Sequence, residues 1–171
     1  IGDKVPFRLQ GTVPADYASY KKYYYAFHDV EEKGLTFDST SVEVFVDDQK
    51  ITTGYTVKTS TSDKCTFEIV FDDLKQIPSV TAGSTITVTY QSELNSDAVL
   101  GSQGNVNQAL LEYSNNPNGE GTGKTPWDNV IVFTYQVVVN KHANTVDGNL
   151  LPGAEFTLEK ILKDDAKETV A

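Results

Sequence analysis

The stretch NVNQALLEYSNNPNGEGTGKTPWDNVIVFTY, residues 105–135, decides the fold. Its middle, GEGTGKT at 119–125, looks like a glycine-rich phosphate cradle, which would make the chain an NTPase. A phosphate loop needs a glycine, four residues, then Gly-Lys-Ser/Thr. Counting back from Gly123-Lys124-Thr125, the first glycine belongs at 118, where Asn118 stands. The loop must also run straight into a helix, whose N-terminus helps to hold the phosphate. Here Pro126 follows at once, and then a second alternating run. Residues 115–126 therefore read as an exposed, mobile loop between two strands, and no ATP binding is expected of them.

Working outward, the same period-two alternation recurs. Val5, Phe7 and Leu9 share one face of KVPFRLQGTV. Val42, Val44 and Val46 do so in SVEVFV, Phe67, Ile69 and Phe71 in TFEIVF, and Ile86, Val88 and Tyr90 in STITVTY. Runs of this kind, rich in Val, Ile, Thr, Tyr and Phe, are half-buried strands. Turn clusters (VPAD, EEKG, TTGY, TAGS, VDGN) separate them at short intervals. The pattern predicts an all-β protein, a two-sheet β-sandwich with little helix. Helical signal is confined to a turn or two in PADYASYKKYY and a short 3₁₀ piece in DDLKQI.

The 171 residues suffice for one domain with a core and the start of another. Composition shifts after Val139, and the boundary reads at 137–141: residues 1–139 form the sandwich, and 140–171 begin a following β domain, with a strand over AEFTLEK (154–160) and a charged tail. Position 1 is not methionine, so the chain reads as a processed or trimmed piece.

The formal net charge is −10, and such a surface repels phosphate backbones and anionic lipid, which argues against nucleic acid and membrane partners. No apolar run approaches the roughly 20 residues that span a bilayer. The one cysteine, Cys65, has no internal disulfide partner, and no CxxC, HExxH or GxSxG spacing is present. No metal site, no cofactor and no enzyme constellation is expected. His28 and Asp29 are adjacent, so on a strand they point to opposite faces. His28 reads as a surface histidine, and Trp127 as core or rim.

Three segments carry a resemblance: IGDKVPFRLQGTVPADYASY (1–20), YAFHDVEEKGLTF (25–37) and ITVTYQSELNSDAVLGSQGNVNQALLEYSNNPNG (86–119). In this order, over roughly residues 1–140, they resemble the isopeptide-forming fimbrial domain of Gram-positive, streptococcal-type pilus backbone subunits. VVVNKHANTVDGNLLPGAEFTLEK (137–160) resembles the opening of a CnaB-type domain. The resemblance implies an immunoglobulin-like sandwich in an extracellular, cell-wall-anchored fibre assembled by sortase from neighbouring pilin subunits. Its chemistry is a self-catalysed Lys–Asn isopeptide bond: a lysine on a first strand attacks an asparagine amide, a buried acid assists, and ammonia leaves. No cofactor takes part. Burial favours the neutral lysine and the protonated acid that this reaction needs.

The acid is best matched by Asp29, which shares a strand face with Phe27. Asn107, Ala109, Leu111, Tyr113 and Asn115 share a face of their own strand. If the two strands are antiparallel neighbours, the end carrying Asp29 meets the start carrying Asn107, whereas Asn115 lies ~26 Å further along. Asn107 is therefore the expected cross-linking residue and Asn115 the weaker alternative. The resemblance implies that the attacking lysine lies on a strand before Ile1, and by the same alignment Lys4 falls on the wrong strand. Lys141 matches the first-strand lysine of the following domain, whose asparagine would lie beyond residue 171. A rival reading is an adhesin that binds a host matrix protein, for which an exposed aromatic patch at Tyr17, Tyr20, Tyr23 and Tyr24 would speak.

Overall fold

Alternating side chains let each strand bury one face, and two such sheets closed on each other satisfy both. A computed structural model of the chain shows this arrangement and describes residues 1–59, 61–153, 155–161 and 166–169. Two compact units result, residues 1–135 and 136–171.

In the first unit, β1 (Lys4–Thr12), β7 (Thr85–Leu94), β3 (Leu35–Val46) and β4 (Gln49–Ile51) form one antiparallel sheet in the order β1-β7-β3-β4. The second sheet runs β10 (Asp128–Val132), β8 (Asn105–Ser114), β2 (Tyr25–Glu31), β6 (Phe67–Phe71) and β5 (Thr56–Lys58), and β9 (Thr122–Lys124) also pairs with β8. All the pairings are antiparallel. The faces read from the alternation are the faces that pack: Val44, Val46, Phe67, Ile69, Phe71, Ile86, Val88 and Tyr90 are core, and Phe7, Leu9 and Val42 pack against it. The all-β, two-sheet expectation holds. Helix is limited to 3₁₀ turns at Tyr17–Ser19 and Leu74–Gln76 among the described residues.

Three local expectations need correction. The last strand of this unit stops at Val132, short of the end of the second alternating run at Tyr135. Val132 pairs with Asn105, the first residue of β8, and beyond it the Gly101 N–H donates to the Thr134 carbonyl outside the ladder. The 115–126 loop is exposed at its tip, but Thr122–Lys124 folds back as β9 on Glu112–Ser114. The tyrosines expected as an adhesive patch are largely core: Tyr17, Tyr20 and Tyr23 are buried, and Tyr23 meets the other two edge-on at centroid distances of 5.2 and 4.8 Å. Burying three rings in one corner uses their apolar area rather than displaying it. Trp127 is exposed, at the rim.

Gly34 shows how tightly one end is packed. A Cβ there would lie 2.1 Å from the Asn105 Oδ1 and 2.7 Å from the Ala98 Cα. Asn105 is fully buried; its Oδ1 accepts from the Val99 N–H, and its Nδ2 donates to the Val99 and Val132 carbonyls. The added methyl must push against this knot or against backbone, so Gly34→Ala is expected to destabilise by about 1–3 kcal/mol. A urea midpoint within error of the parent value would refute this.

In the second unit, His142 bridges to Leu150, and the His142 Nδ1 bonds the Gly148 carbonyl at 2.8 Å. Of the strand expected over 154–160, residues 155–158 are not strand; strand begins only at its end, in β11 (Glu159–Ile161), which pairs with β12 (Lys167–Thr169). Ala154, at the start of that expected strand, and residues 162–165, 170 and 171 of the tail lie outside the described residues. No described residue of this unit is fully buried.

Candidate functional site

β2 lies inside its sheet, with β8 on one side and β6 on the other. Its core-facing row is Tyr25, Phe27, Asp29 and Glu31, so an aromatic strand ends in two acids. Asp29 is 0% exposed. β8 runs antiparallel beside it, with Asp29 opposite Ala109 and Glu31 opposite Asn107. The end of one strand thus meets the start of the other, and Asn107, 3% exposed, turns the same way as Asp29.

The opposite sheet supplies a third group. Tyr90 on β7 is stacked on Phe7 and packed edge-on against Phe37 and Phe67, with centroid distances of 5.2, 5.7 and 4.8 Å. This wall of rings aims the phenol at the two polar groups. The Tyr90 hydroxyl donates to the Asp29 Oδ2 at 2.7 Å, and the Asn107 Nδ2 donates to the Tyr90 oxygen at 2.6 Å. The same Nδ2 lies 3.4 Å from the Asp29 Oδ2.

Two acceptors in this cluster are left over. The Asp29 Oδ1 and the Asn107 Oδ1 are buried without a hydrogen-bond partner, as is the Glu31 Oε2. Buried unpaired oxygens of this kind are costly, so their clustering signals a demand for a donor. Desolvation pushes Asp29 up to about 7, against the hydrogen bond from Tyr90 and with help from the neighbouring Glu31 charge. Burial raises Glu31 as well, opposed by a very short hydrogen bond from the Ser92 hydroxyl. Burial also pushes the Tyr90 phenol far up, so it remains a donor. Asp29 can therefore hold a proton near neutral pH, an unusual state for a carboxyl group.

A cleft of about 320 Å³ opens onto this cluster. Its sides are Val5, Phe7 and Leu9 of β1 and Val130 and Val132 of β10, and Tyr90 and Asn107 also line it. β1 and β10 are the edge strands of the two sheets, so both borders carry backbone groups without a strand on that side.

Asp29 and Asn107 are thus brought together. The other expected residues are elsewhere. Asn115 is exposed beyond the far end of β8, its N–H donating to the Gly121 carbonyl. Lys4 is exposed on β1, paired with Asp38 at 2.9 Å. Lys141 is an exposed residue of the second unit, its carbonyl accepting from the Leu151 N–H. Sequence reasoning missed Tyr90, Glu31 and Ser92. Tyr90 sits at an apolar position of the STITVTY alternation, where its ring explains its presence and its hydroxyl goes unnoticed. His28, expected on the surface, is 4% exposed: β2 is an inner strand, so its second face is covered too.

The profile of the family described as Gram-positive pilin backbone subunit 2, Cna-B-like domain, matches residues 1–117. No curated protein matches the chain in sequence. Among solved structures, the RrgB pilus backbone of Streptococcus pneumoniae is similar at 26% identity and a TM-score of 0.55, over 71% of this chain and 45% of that one. The major pilin SpaD of Corynebacterium diphtheriae is similar at 24% identity and a TM-score of 0.65, over 88% of this chain and 37% of that one. The pilus 2b backbone protein of group B streptococcus shares the fold at 20% identity and a TM-score of 0.62, over 98% of this chain and 68% of that one. The chain therefore spans less than half the length of the pneumococcal and corynebacterial pilins. With its two antiparallel sheets and a family match over more than half of its length, the chain belongs to the Gram-positive pilin backbone subunits of Cna-B-like fold.

Proposed function

We propose that this chain is part of the shaft of an extracellular pilus and that Asp29 and Asn107 form a self-catalysed cross-linking site. In this reading the subunits are joined by sortase into a fibre anchored to the cell wall. Residues from about 140 onward begin a second CnaB-type domain, with Lys141 as its own cross-linking lysine. The observation that carries the proposal is the pair of buried, unpartnered oxygens on Asp29 and Asn107 beside a cleft open between two edge strands. A strand entering that cleft would pair with β1 or β10, and a lysine on it would supply the missing donor.

The reaction follows from the groups present. A buried lysine loses its proton and becomes a nucleophile. Its nitrogen attacks the Asn107 Cγ, the new C–N bond forms, the bond to Nδ2 breaks, and ammonia leaves. The Asn107 Nδ2, which donates to the Asp29 Oδ2 at 3.4 Å before reaction, becomes basic once the amine has added; protonated Asp29 then passes its proton to this departing nitrogen and recovers one from the attacking amine. Tyr90 holds both groups in place, and confinement in a folded core supplies the effective concentration.

The test is intact mass, measured on a longer form of the chain that carries a lysine-bearing segment ahead of Ile1. The parent is expected to be lighter by one ammonia. Asp29→Ala and Asn107→Ala should fold but keep the full mass, with stability lower than the cross-linked parent by about 3–5 kcal/mol, by analogy with a disulfide closing a long loop. Asn115→Ala should still lose ammonia. Loss of ammonia by Asn107→Ala but not by Asn115→Ala would move the bond to Asn115. Loss by both Asp29→Ala and Asn107→Ala would end the assignment.

A further inference from the structure

The outer face of the same strand carries a second cluster that the cross-linking chemistry does not use. His28 on β2 stands opposite Glu68 on β6. The turn before β6 brings Asp63 and the partly buried Cys65 against the same ring. One ligand atom from each of His28, Asp63, Cys65 and Glu68 falls within 4.8 Å of every other. The contacts converge on one nitrogen: the His28 Nδ1 is 3.0 Å from the Asp63 Oδ2, 3.1 Å from the Glu68 Oε1 and 3.8 Å from the Cys65 Sγ.

A ring nitrogen carries at most one hydrogen, so it cannot satisfy two carboxylates at these distances with well-directed bonds. The imidazole itself is 5% exposed, so water is a poor substitute. The opposite nitrogen is already taken: the His28 Nε2 lies 3.0 Å from the Glu112 Oε2. Glu112 is in turn fixed by the Thr122 hydroxyl at 2.7 Å and the Lys124 Nζ at 3.4 Å. A carboxylate on one ring nitrogen, with S and O donors gathered at the other, is how metal-binding histidines are oriented. The edges of a tetrahedron with bonds of ~2.0–2.3 Å measure about 3.3–3.8 Å, so the distances from the His28 Nδ1 are already close to these edges, and the 4.8 Å limit on the remaining pairs asks for a closing of about 1 Å at most.

We propose that His28, Asp63, Cys65 and Glu68 form a binding site for a zinc-type divalent cation, with Glu112 as the positioning residue for His28. One nitrogen, one sulfur and two oxygens suit a borderline-soft ion better than calcium or magnesium, which take oxygen ligands. On binding, the Cys65 S–H proton goes to solvent and the thiolate binds the ion. The site clamps the 61–65 turn to two strands of the sheet.

Cobalt(II) added to the full chain reports on the site directly. A thiolate-to-cobalt charge-transfer band together with intense visible absorption is expected, displaced by one equivalent of zinc. Saturating zinc should raise the Tm by about 5 °C. Cys65→Ser should abolish the charge-transfer band, and Asp63→Asn should weaken zinc binding by at least tenfold. Both substitutions lie at the rim and spare the buried imidazole. Glu112→Gln should keep the band and weaken binding about 10–100-fold. No band at millimolar cobalt would overturn the proposal. So would a band, or zinc binding at parent affinity, that survives both Cys65→Ser and Asp63→Asn.

Discussion

Asp29→Asn is expected to make the domain more stable than its parent at pH 8 by about 4 kcal/mol and to remove most of the fall in stability between pH 4 and 7. The unfolded chain releases the Asp29 proton near 3.8, whereas burial holds it in the folded chain up to about 7. Between those values the folded state binds more protons, so stability drops as pH rises and the cost is complete above pH 7. Glu31 is raised too and adds the same sign in both proteins, so the difference between them reads Asp29. At lower pH the slope reverses. Hydrogen bonds from Thr40 and Lys4 hold Asp38 down at about 2. For Asp63, burial pushes upward, but hydrogen bonds from Cys65 and Thr61 outweigh it and also leave it at about 2. The stability these two contribute is lost as pH falls through their folded values. Chemical denaturation across the pH range checks this on the uncross-linked chain. Parallel curves for parent and variant would show that Asp29 ionises as freely in the fold as in water.

Phe67→Ala should cost about 3–5 kcal/mol. Phe67 is fully buried, stacked on Phe37 at 3.7 Å, and forms one wall of the Tyr90 pocket. Truncation leaves a cavity next to a carboxyl and an amide, a place where water finds polar partners. The second expected result is therefore specific: the decline in stability between pH 4 and 7 becomes shallower, because hydrated Asp29 titrates closer to its ordinary value. A loss under about 1 kcal/mol, or an unchanged pH slope, would count against the ring as the source of the desolvation.

Much of the sandwich was legible because each strand needed only a period of two. Val42, Val44 and Val46 or Phe67, Ile69 and Phe71 declare a face without reference to any other segment. Turns were legible where backbone geometry demands glycine: Gly54 in TTGY and Gly83 in TAGS adopt φ of +91° and +86°. The Asp29 and Asn107 encounter followed from parity plus the meeting of strand ends, which is a global inference but a short one. What stayed hidden depended on which strands are central. An inner strand has both faces covered, so Ala26 and His28 are buried along with Phe27 and Asp29. No local pattern distinguishes such a strand from one open to water on one side. Similarly, Tyr17, Tyr20 and Tyr23 form a cluster in sequence whether they face inward or outward, and only the 3₁₀ turn at Tyr17–Ser19 and the edge-on packing decide it. Glu31 and Ser92 matter because two sheets face each other, which sequence spacing does not encode.

The three groups at the centre of the site are far apart along the chain. Asp29 and Tyr90 are separated by 61 residues, Tyr90 and Asn107 by 17, and Asp29 and Asn107 by 78. Tyr90 belongs to one sheet and the other two to its partner, so no local segment, hairpin or single sheet contains the constellation. Contacts between residues so far apart must meet their loop-closure entropy before they are rewarded, and folds built on such contacts form slowly. The proposed chemistry would therefore be ordered in time: the desolvated acid comes into being only after both sheets have docked. A misregistered strand, which would turn either Asp29 or Asn107 outward, leaves the reactants apart. Any bond made here would record that folding had finished correctly, and an irreversible reaction would be withheld from the intermediates it would otherwise trap.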